Sequence, residues 1–371
     1  MTAGPKAPAT LARRPILVTG GAGFIGSNIA DRLAGSGHDV LVYDAVTRAG
    51  VERNLAWLQA RHPARISVVR ADIRDAAELG AAARDAAAVF HMAAQVAVTT
   101  SLVDPVADFD TNVRATFGLL EALRRRPDPP PLVFASTNKV YGDLSDIRLN
   151  LTNRAYRPAD PNVARHGIGE ARPLDFHTPY GCSKGAADQY VLDYARSFGV
   201  PACVLRMSCI YGQRQMGTED QGWVAHFAIR ALEGEPISIY GDGSQVRDVM
   251  DVSDAVDAYL AAWRRAGEVA GRAFNLGGGP DNAISLRDLI EHLETLVGRP
   301  VETRYGDWRA GDQRWFVADA RAARKALGLR QPVAWRRGVA SLVRWLATER
   351  DVPLPAERTL ALPVESRRGA A

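Results

Sequence analysis

The stretch Thr178-Pro-Tyr-Gly-Cys-Ser-Lys184 sets a phenol and an amine four residues apart. Thr178 suits a helix cap and Pro179 a first helical position, so Tyr180 and Lys184 fall on one helix face. A free tyrosine has a pKa near 10 and is a poor base at neutral pH. A nearby ammonium favours the phenolate, and lowering the pKa by about three units takes about 4 kcal/mol. Thr137, at the end of a predicted strand, offers a hydroxyl that can bond the reacting oxygen and pass its proton to Tyr180. Far upstream, Gly20-Gly21-Ala-Gly23-Phe-Ile-Gly26 follows a short apolar run and opens a helical pattern. That context makes the glycine spacing a dinucleotide cradle. Gly20, Gly23 and Gly26 allow close backbone approach, and Phe24 and Ile25 begin the helix whose N-terminus favours a pyrophosphate. Together the two stretches point to an enzyme that moves a hydride to or from a nicotinamide ring.

Other candidates follow from strand ends. Asp44 closes the second strand 18 residues after Gly26; a carboxylate there holds both ribose hydroxyls and repels a 2′-phosphate, which favours NAD over NADP. Asp72 and Ile73 follow the third strand, where an adenine would lie. Ala93, Ala94 and Gln95 follow the fourth, on the pyrophosphate and nicotinamide side. Tyr180 and Lys184 are cofactor-binding candidates as well as catalytic ones, Lys184 as a ligand of the nicotinamide ribose.

These residues need a scaffold of alternating strands and helices. Apolar runs predict strands over Pro15–Thr19, Asp39–Tyr43, Ile66–Arg70, Ala88–His91, Leu132–Ser136 and Ala202–Arg206. Helical periodicity predicts Phe24–Ala34, Ala76–Arg84, Thr111–Arg125, Asp254–Arg265 and Ser285–Val297. The fold class is α/β: a Rossmann-type, doubly wound parallel sheet over 15–206, with a smaller C-terminal α/β substrate-binding lobe over 207–350 that returns segments to the first domain. Residues 1–14 read as a flexible leader and 351–371 as a loosely ordered tail. The polar stretch 146–172 reads as a long loop that covers the site.

Composition narrows the function. The 371 residues carry 46 basic and 42 acidic side chains, a net charge of +4, without the basic stripe that nucleic acid demands. No apolar run is long enough to cross a bilayer. Cys182, Cys203 and Cys209 match no metal-site spacing, and reduced thiols fit a cytoplasmic protein. No metal is expected.

The motifs resemble the extended short-chain dehydrogenase/reductase superfamily, specifically its nucleotide-sugar epimerases and dehydratases, from about Ile16 to Trp345. Phe134-Ala-Ser-Thr-Asn-Lys-Val-Tyr-Gly-Asp143, the Leu174–Tyr190 stretch, Gln245-Val-Arg-Asp-Val249 and Asp312-Gln-Arg-Trp-Phe-Val-Ala-Asp319 are similar to the CDP-tyvelose (CDP-paratose) 2-epimerase subfamily. The resemblance implies tightly held NAD, transient oxidation of a sugar carbon with hydride return to the opposite face, and Thr137, Tyr180 and Lys184 as the reacting trio. It implies Asn138, Lys139, Ser208, Cys209, Gln221 and Trp223 at the sugar or base, and Arg247 and Arg314 on the substrate diphosphate. It also implies a homodimer or homotetramer. Related dehydratases carry Asp-Glu where this chain has Asn138-Lys139, and an amide and an ammonium cannot do that carboxylate work. Met207 and Cys209 depart from the subfamily's His and Ser, which points to a sugar other than paratose. The leading reading is a nucleotide-sugar epimerase acting at C2 of a CDP-hexose. A 4-epimerase of UDP-hexose type uses the same trio, and a non-catalytic NAD-binding protein is the remaining alternative.

Overall fold

The computed structural model describes residues 14–309 and 311–355. The predicted leader, apart from Arg14, and the tail beyond residue 355 lie outside the described residues. Seven parallel strands form the central sheet: β1 (Ile16–Thr19), β2 (Val40–Asp44), β3 (Ile66–Arg70), β4 (Ala88–His91), β5 (Leu132–Thr137), β6 (Ala202–Met207) and β7 (Ala273–Leu276). Their spatial order is β3-β2-β1-β4-β5-β6-β7, so strand order reverses between β1 and β4. That reversal opens a crevice at the carboxyl edge, where ligands of such sheets bind.

Strand periodicity assigns each side chain to a face. Leu17, Val89, Phe134 and Val204 pack with Leu119, Leu120, Ala187 and Val191 on one side. Val18, Phe90, Val133 and Leu205 pack with Ile29, Leu33, Leu58 and Tyr259 on the other. The first face carries the 21-residue helix Thr178–Phe198, which the sequence placed by its Tyr and Lys.

The predicted Thr111–Arg125 helix is divided: Asp110–Arg114 is a π-helical turn that runs into Ala115–Arg124. A helix at Val51–Arg61 was not anticipated. Its cap is Gly50, without a side chain to announce it, and its buried face is only Asn54, Leu55 and Leu58.

The C-terminal portion contributes β7 and the helix Val252–Arg264 to the first domain. The rest forms a smaller lobe around strand Val246–Asp251, paired with Ala283–Ser285, Trp315–Phe316 and Cys209–Tyr211. Helices Trp223–Glu233, Leu286–Val297 and Trp335–Arg350 bury its core, including Phe227, Leu289 and Leu342.

The stretch 146–172 is not the structureless cover expected. It holds a hairpin, Leu149–Leu151 with Tyr156–Pro158, and a short helix, Pro161–His166, capped by Asp160. Tyr156 bonds Asp242 and Ser244 of the smaller lobe. Among the described residues none of this stretch lines the main cavity; its apolar side chains pack instead in a cluster with Val246, Trp315 and Phe316.

Candidate active site

One cavity of about 820 Å³ runs from the glycine turn, past the carboxyl ends of the strands, to the smaller lobe. At its inner end the chain turns twice on glycine. Gly20 has φ +66°, and a Cβ there would sit 2.7 Å from Ala93 N. A Cβ on Gly26 would overlap the carbonyl oxygen of Gly20. Helix Phe24–Gly35 begins without a side-chain cap. Its first-turn N–H groups have no acceptor one turn back, and Phe24 and Ile25 line the cavity. A pyrophosphate satisfies such groups, so these residues fit a dinucleotide.

Asp44 lines the same end. Its Oδ2 accepts Ala22 N–H at 2.9 Å and its Oδ1 accepts Val46 N–H at 2.8 Å. Those bonds fix the carboxylate against the turn, and each oxygen keeps a lone pair. Asp72 and Ile73 line this end too. Asp72 is gripped by Arg74 at 2.9 and 2.7 Å, which holds its carboxyl below the usual range. Arg48 and Arg74, not anticipated from the sequence, also border this region.

Ala93, Ala94 and Gln95 line the middle of the cavity. Gln95 is a brace: its Nε2 donates to Ala97 O and to Asp108 Oδ1. Asn112, on the π-helical turn, accepts Gln95 N–H at 2.9 Å and donates to Ser183 Oγ at 3.0 Å. It therefore ties the loop after β4 to the Tyr180–Lys184 helix. Asp108 and Asn112 are fully buried. Their only sequence signal was polarity inside an apolar helical pattern, which is weak.

The reacting groups converge at the ends of β5 and the long helix. Thr178 has φ +63° and its Oγ1 accepts Gly181 N–H, but it is the first residue of the helix, and His177 stands in the cap position without a side-chain bond. Tyr180 is 8% exposed and lines the cavity together with Thr137 and Lys184. Lys184 donates to Ala135 O at 2.6 Å and lies 4.3 Å from the centre of the Phe134 ring. The expected lowering of the tyrosine pKa is not met by these side chains. Burial pushes Tyr180 up to about 12, with nearby Asp108 adding to it. Burial likewise brings Lys184 down to about 8. Desolvation is the largest cause at both groups.

Toward the smaller lobe the cavity is lined by Asn138, Lys139, Ser208, Cys209, Gln221, Trp223 and Arg247, with Met207 beside them. Lys139 donates to Gly311 O at 3.1 Å and lies 3.9 Å from Asp312; burial lowers it to about 8. Arg247 is held by Asp312 at 2.6 Å. Ser208 donates to Asp248. Arg314 does not join them: it is exposed and lies between Tyr156 and Trp308. Its neighbour Gln313 turns inward instead and is wholly buried. Arg309, over the Tyr240 ring at 3.9 Å, is the arginine that lines this end besides Arg247.

Among the described residues no cluster of His, Cys, Asp and Glu suits a metal, and no helix is long and apolar enough to cross a membrane. Fold and cavity define a dinucleotide-binding protein with a Tyr–Lys pair at the carboxyl edge of its sheet. The chain belongs to the NAD dependent epimerase/dehydratase family, which matches over residues 16–277. It is an NAD-dependent enzyme, an isomerase of the epimerase kind. It is 40% identical to the CDP-paratose 2-epimerase of Salmonella typhi, over 90% of this chain and 99% of that protein. The solved UDP-glucose 4-epimerase of Thermotoga maritima with UDP-glucose is 30% identical, at a TM-score of 0.77 over 90% of this chain and 99% of that one. The UDP-glucose 4-epimerase of Thermus thermophilus in complex with NAD is 31% identical, at a TM-score of 0.75 over 90% and 98%.

Proposed function

We propose that this enzyme inverts C2 of a nucleotide-diphosphate hexose, with Thr137, Tyr180 and Lys184 as the reacting groups. The observation that carries the reading is the meeting of Tyr180 and Thr137, beside Lys184, in one cavity whose sugar-facing wall is Asn138 and Lys139. Bound NAD supplies a hydride acceptor and a positive charge beside the tyrosine. Gly20, Gly23, Phe24, Ile25, Gly26 and Asp44 would hold its diphosphate and adenosine ribose. Asp72 and Ile73 would flank its adenine, and Ala93, Ala94 and Gln95 its inner end.

A phenol at about 12 needs roughly 7 kcal/mol of differential stabilisation to ionise at neutral pH. Two cations in a dry cleft supply energies of that order. Tyr180 then takes the proton of a sugar hydroxyl as the carbon bearing it is oxidised, and returns it when the carbon is reduced on its opposite face. Lys184 orients the nicotinamide ribose and keeps positive charge near Tyr180. Asn138 and Lys139 position the sugar and offer no carboxylate for water loss. Arg247 suits the diphosphate through its charged fork, with Arg309 beside it in place of Arg314. Ser208, Cys209, Gln221 and Trp223 shape the sugar and base pocket.

The 40% identity to a CDP-paratose 2-epimerase supports C2. The two solved relatives are UDP-glucose 4-epimerases, and 4-epimerisation would use the same trio. A proton NMR time course in D₂O, without added NAD, over a panel of CDP-hexoses that includes CDP-paratose, separates the two reactions. The expected product is a 2-epimer with no solvent deuterium at carbon. Conversion of UDP-glucose to UDP-galactose, with every CDP-hexose untouched, would overturn the C2 reading.

We further infer a homodimer. Leu102, Val103, Val106 and Phe117 are exposed large apolar side chains on helices packed against Thr178–Phe198, and Tyr190 is exposed on that helix itself.

A further inference from the structure

A short segment of the smaller lobe, 213–216, follows strand Cys209–Tyr211 and precedes helix Trp223–Glu233. It lies against two helices of the first domain. Two asparagines grip it, and each also grips the glycine cradle. Asn28, on Phe24–Gly35, donates through Nδ2 to Phe24 O at 2.8 Å and to Gln213 O at 3.1 Å. Asn54, on Val51–Arg61, donates through Nδ2 to Ala22 O at 3.2 Å and to Arg214 O at 3.0 Å. Carbonyls only accept, so in both amides the nitrogen faces the segment and its two protons serve two carbonyls. Successive carbonyls of the segment are thus joined to the two cradle carbonyls that flank Gly23. Asn54 is 1% exposed, so water does not compete for its bonds.

The segment is clamped from its other side. Arg214 has φ +71°, a left-handed conformation unfavourable for a residue with a side chain. Its guanidinium lies 4.1 Å from the centre of the Trp57 ring and 5.4 Å from that of Trp345, with Glu349 at 3.8 Å. Trp57 belongs to the first domain, and Trp345 and Glu349 to helix Trp335–Arg350 of the smaller lobe, so one cation spans both. Met216 closes on Gly50, where a Cβ would overlap its Cγ. Gln215 lines the cavity, whereas Asn28, Asn54 and Arg214 stand outside it. They reach a bound dinucleotide only through the cradle.

We propose that Asn28, Asn54 and Arg214 are positioning residues that lash segment 213–216 to the glycine cradle and thereby slow the release of NAD. The inference rests on the reading of the glycine turn as the dinucleotide site. In a trans peptide the C=O and N–H point opposite ways. Asn28 holds Phe24 O along the helix, which aims Ile25 N–H back toward the cavity. Asn54 holds Ala22 O while Asp44 holds Ala22 N–H. The peptides that meet a pyrophosphate are therefore set before it arrives. Turning them away breaks bonds to a segment that Arg214 keeps in place. By linkage, bound NAD should in turn tighten the seat of the smaller lobe. An enzyme that restores its own NAD in every turnover has no need to release it, and a lashed cradle suits that economy.

The test is the exchange of bound NAD for isotopically labelled NAD in the full chain. Asn54→Ala and Arg214→Ala should each release NAD about tenfold faster, the factor that one buried hydrogen bond or cation–π contact supports. Arg214→Ala carries the test if the buried Asn54→Ala does not fold. Both act through one segment, so the double variant should release NAD no more than about twofold faster than either single one. If Asn54 served the cradle alone, the two factors would multiply to about a hundredfold, and that result overturns the proposal. So does release at the wild-type rate in folded Arg214→Ala. Gly26→Ala separates the two failures. If that variant keeps NAD, the cradle reading is wrong; if it loses NAD while exchange is unmoved in Arg214→Ala, only the lashing is.

Discussion

Tyr180 carries the sharpest expectation at the scale of single residues. General acid–base catalysis contributes about 10²–10⁴-fold. Tyr180→Phe should therefore cut kcat by that factor while leaving bound NAD in place, since no cradle residue is altered. A sugar-nucleotide NMR assay and a cofactor count on denatured protein check both halves. Lys184→Met should do something different. It removes a cation buried beside the Phe134 ring and bonded to Ala135 O, so it should weaken NAD retention as well as turnover. Retained NAD in Lys184→Met with full turnover would remove the lysine from the mechanism. The pH dependence has a worked sign. Tyr180 lies at about 12 before any cofactor charge acts, so turnover should rise with pH across the neutral range, as the base form grows. The lower limb should move to higher pH when positive charge is taken away at Lys184.

At the scale of elements, the strand–turn–helix at the start of the sheet is the most demanding. Gly26→Ala would drive a Cβ into the Gly20 carbonyl, so the turn and the helix must part. Loss of NAD binding is expected, together with a destabilisation of about 1–3 kcal/mol of the overpacking kind, read by denaturant titration with and without NAD. An unaltered NAD affinity would show that the turn is not the cradle. These same steric demands made the element legible in sequence: glycine is written where nothing else fits. Strands β1, β4, β5 and β6 were legible for a similar reason, since burial on both faces leaves continuous apolar runs. Strand β7 was not legible, because Ala273–Leu276 is four residues long and separated from β6 by much of the smaller lobe. The hairpin at 149–158 escaped because its strands are three residues each, with little buried surface to impose a period. Arg314 and Gln313 show the limit inside a motif. Two adjacent polar residues look equally available, yet Gln313 is buried on Gly142 O and Asn138 while Arg314 is exposed.

The whole molecule has an acid limit written into its centre. His91 ends β4 at 0% exposure, between Thr19 Oγ1 at 2.7 Å and Thr116 Oγ1 at 3.0 Å. Burial, then the charge of Lys184, brings its pKa from 6.5 down to about 3. A folded pKa below the unfolded one means that protons bind the unfolded chain first. Stability is therefore intact above pH 6.5 and falls as pH drops from there toward 3, by at most about 5 kcal/mol. His91→Asn should flatten that fall in chemical denaturation measured across pH 4–7 (roughly the window in which only the unfolded histidine protonates). A slope unchanged by the substitution would assign acid sensitivity to other groups.

The face proposed for assembly is tied to the site by chain continuity. Val103 and Val106 are 86% and 68% exposed, while Asp108 and Asn112, a few residues on, brace Gln95 and Ser183 from within. A second copy that covers the apolar face would press the same segment against the cavity. Light scattering should give twice the chain mass for the wild type. Val103→Asp with Val106→Asp touches only exposed positions, so the folded monomer tolerates it, yet two buried carboxylates at a symmetric interface would meet their own copies. The double variant should be monomeric, keep its cooperative unfolding, and lose NAD retention as the Asp108–Gln95 brace loosens. A wild type that is monomeric at micromolar concentration would leave the apolar face to another partner. A monomeric variant with full NAD retention would separate assembly from the site and return the bracing of Gln95 to Asp108 and Asn112 alone.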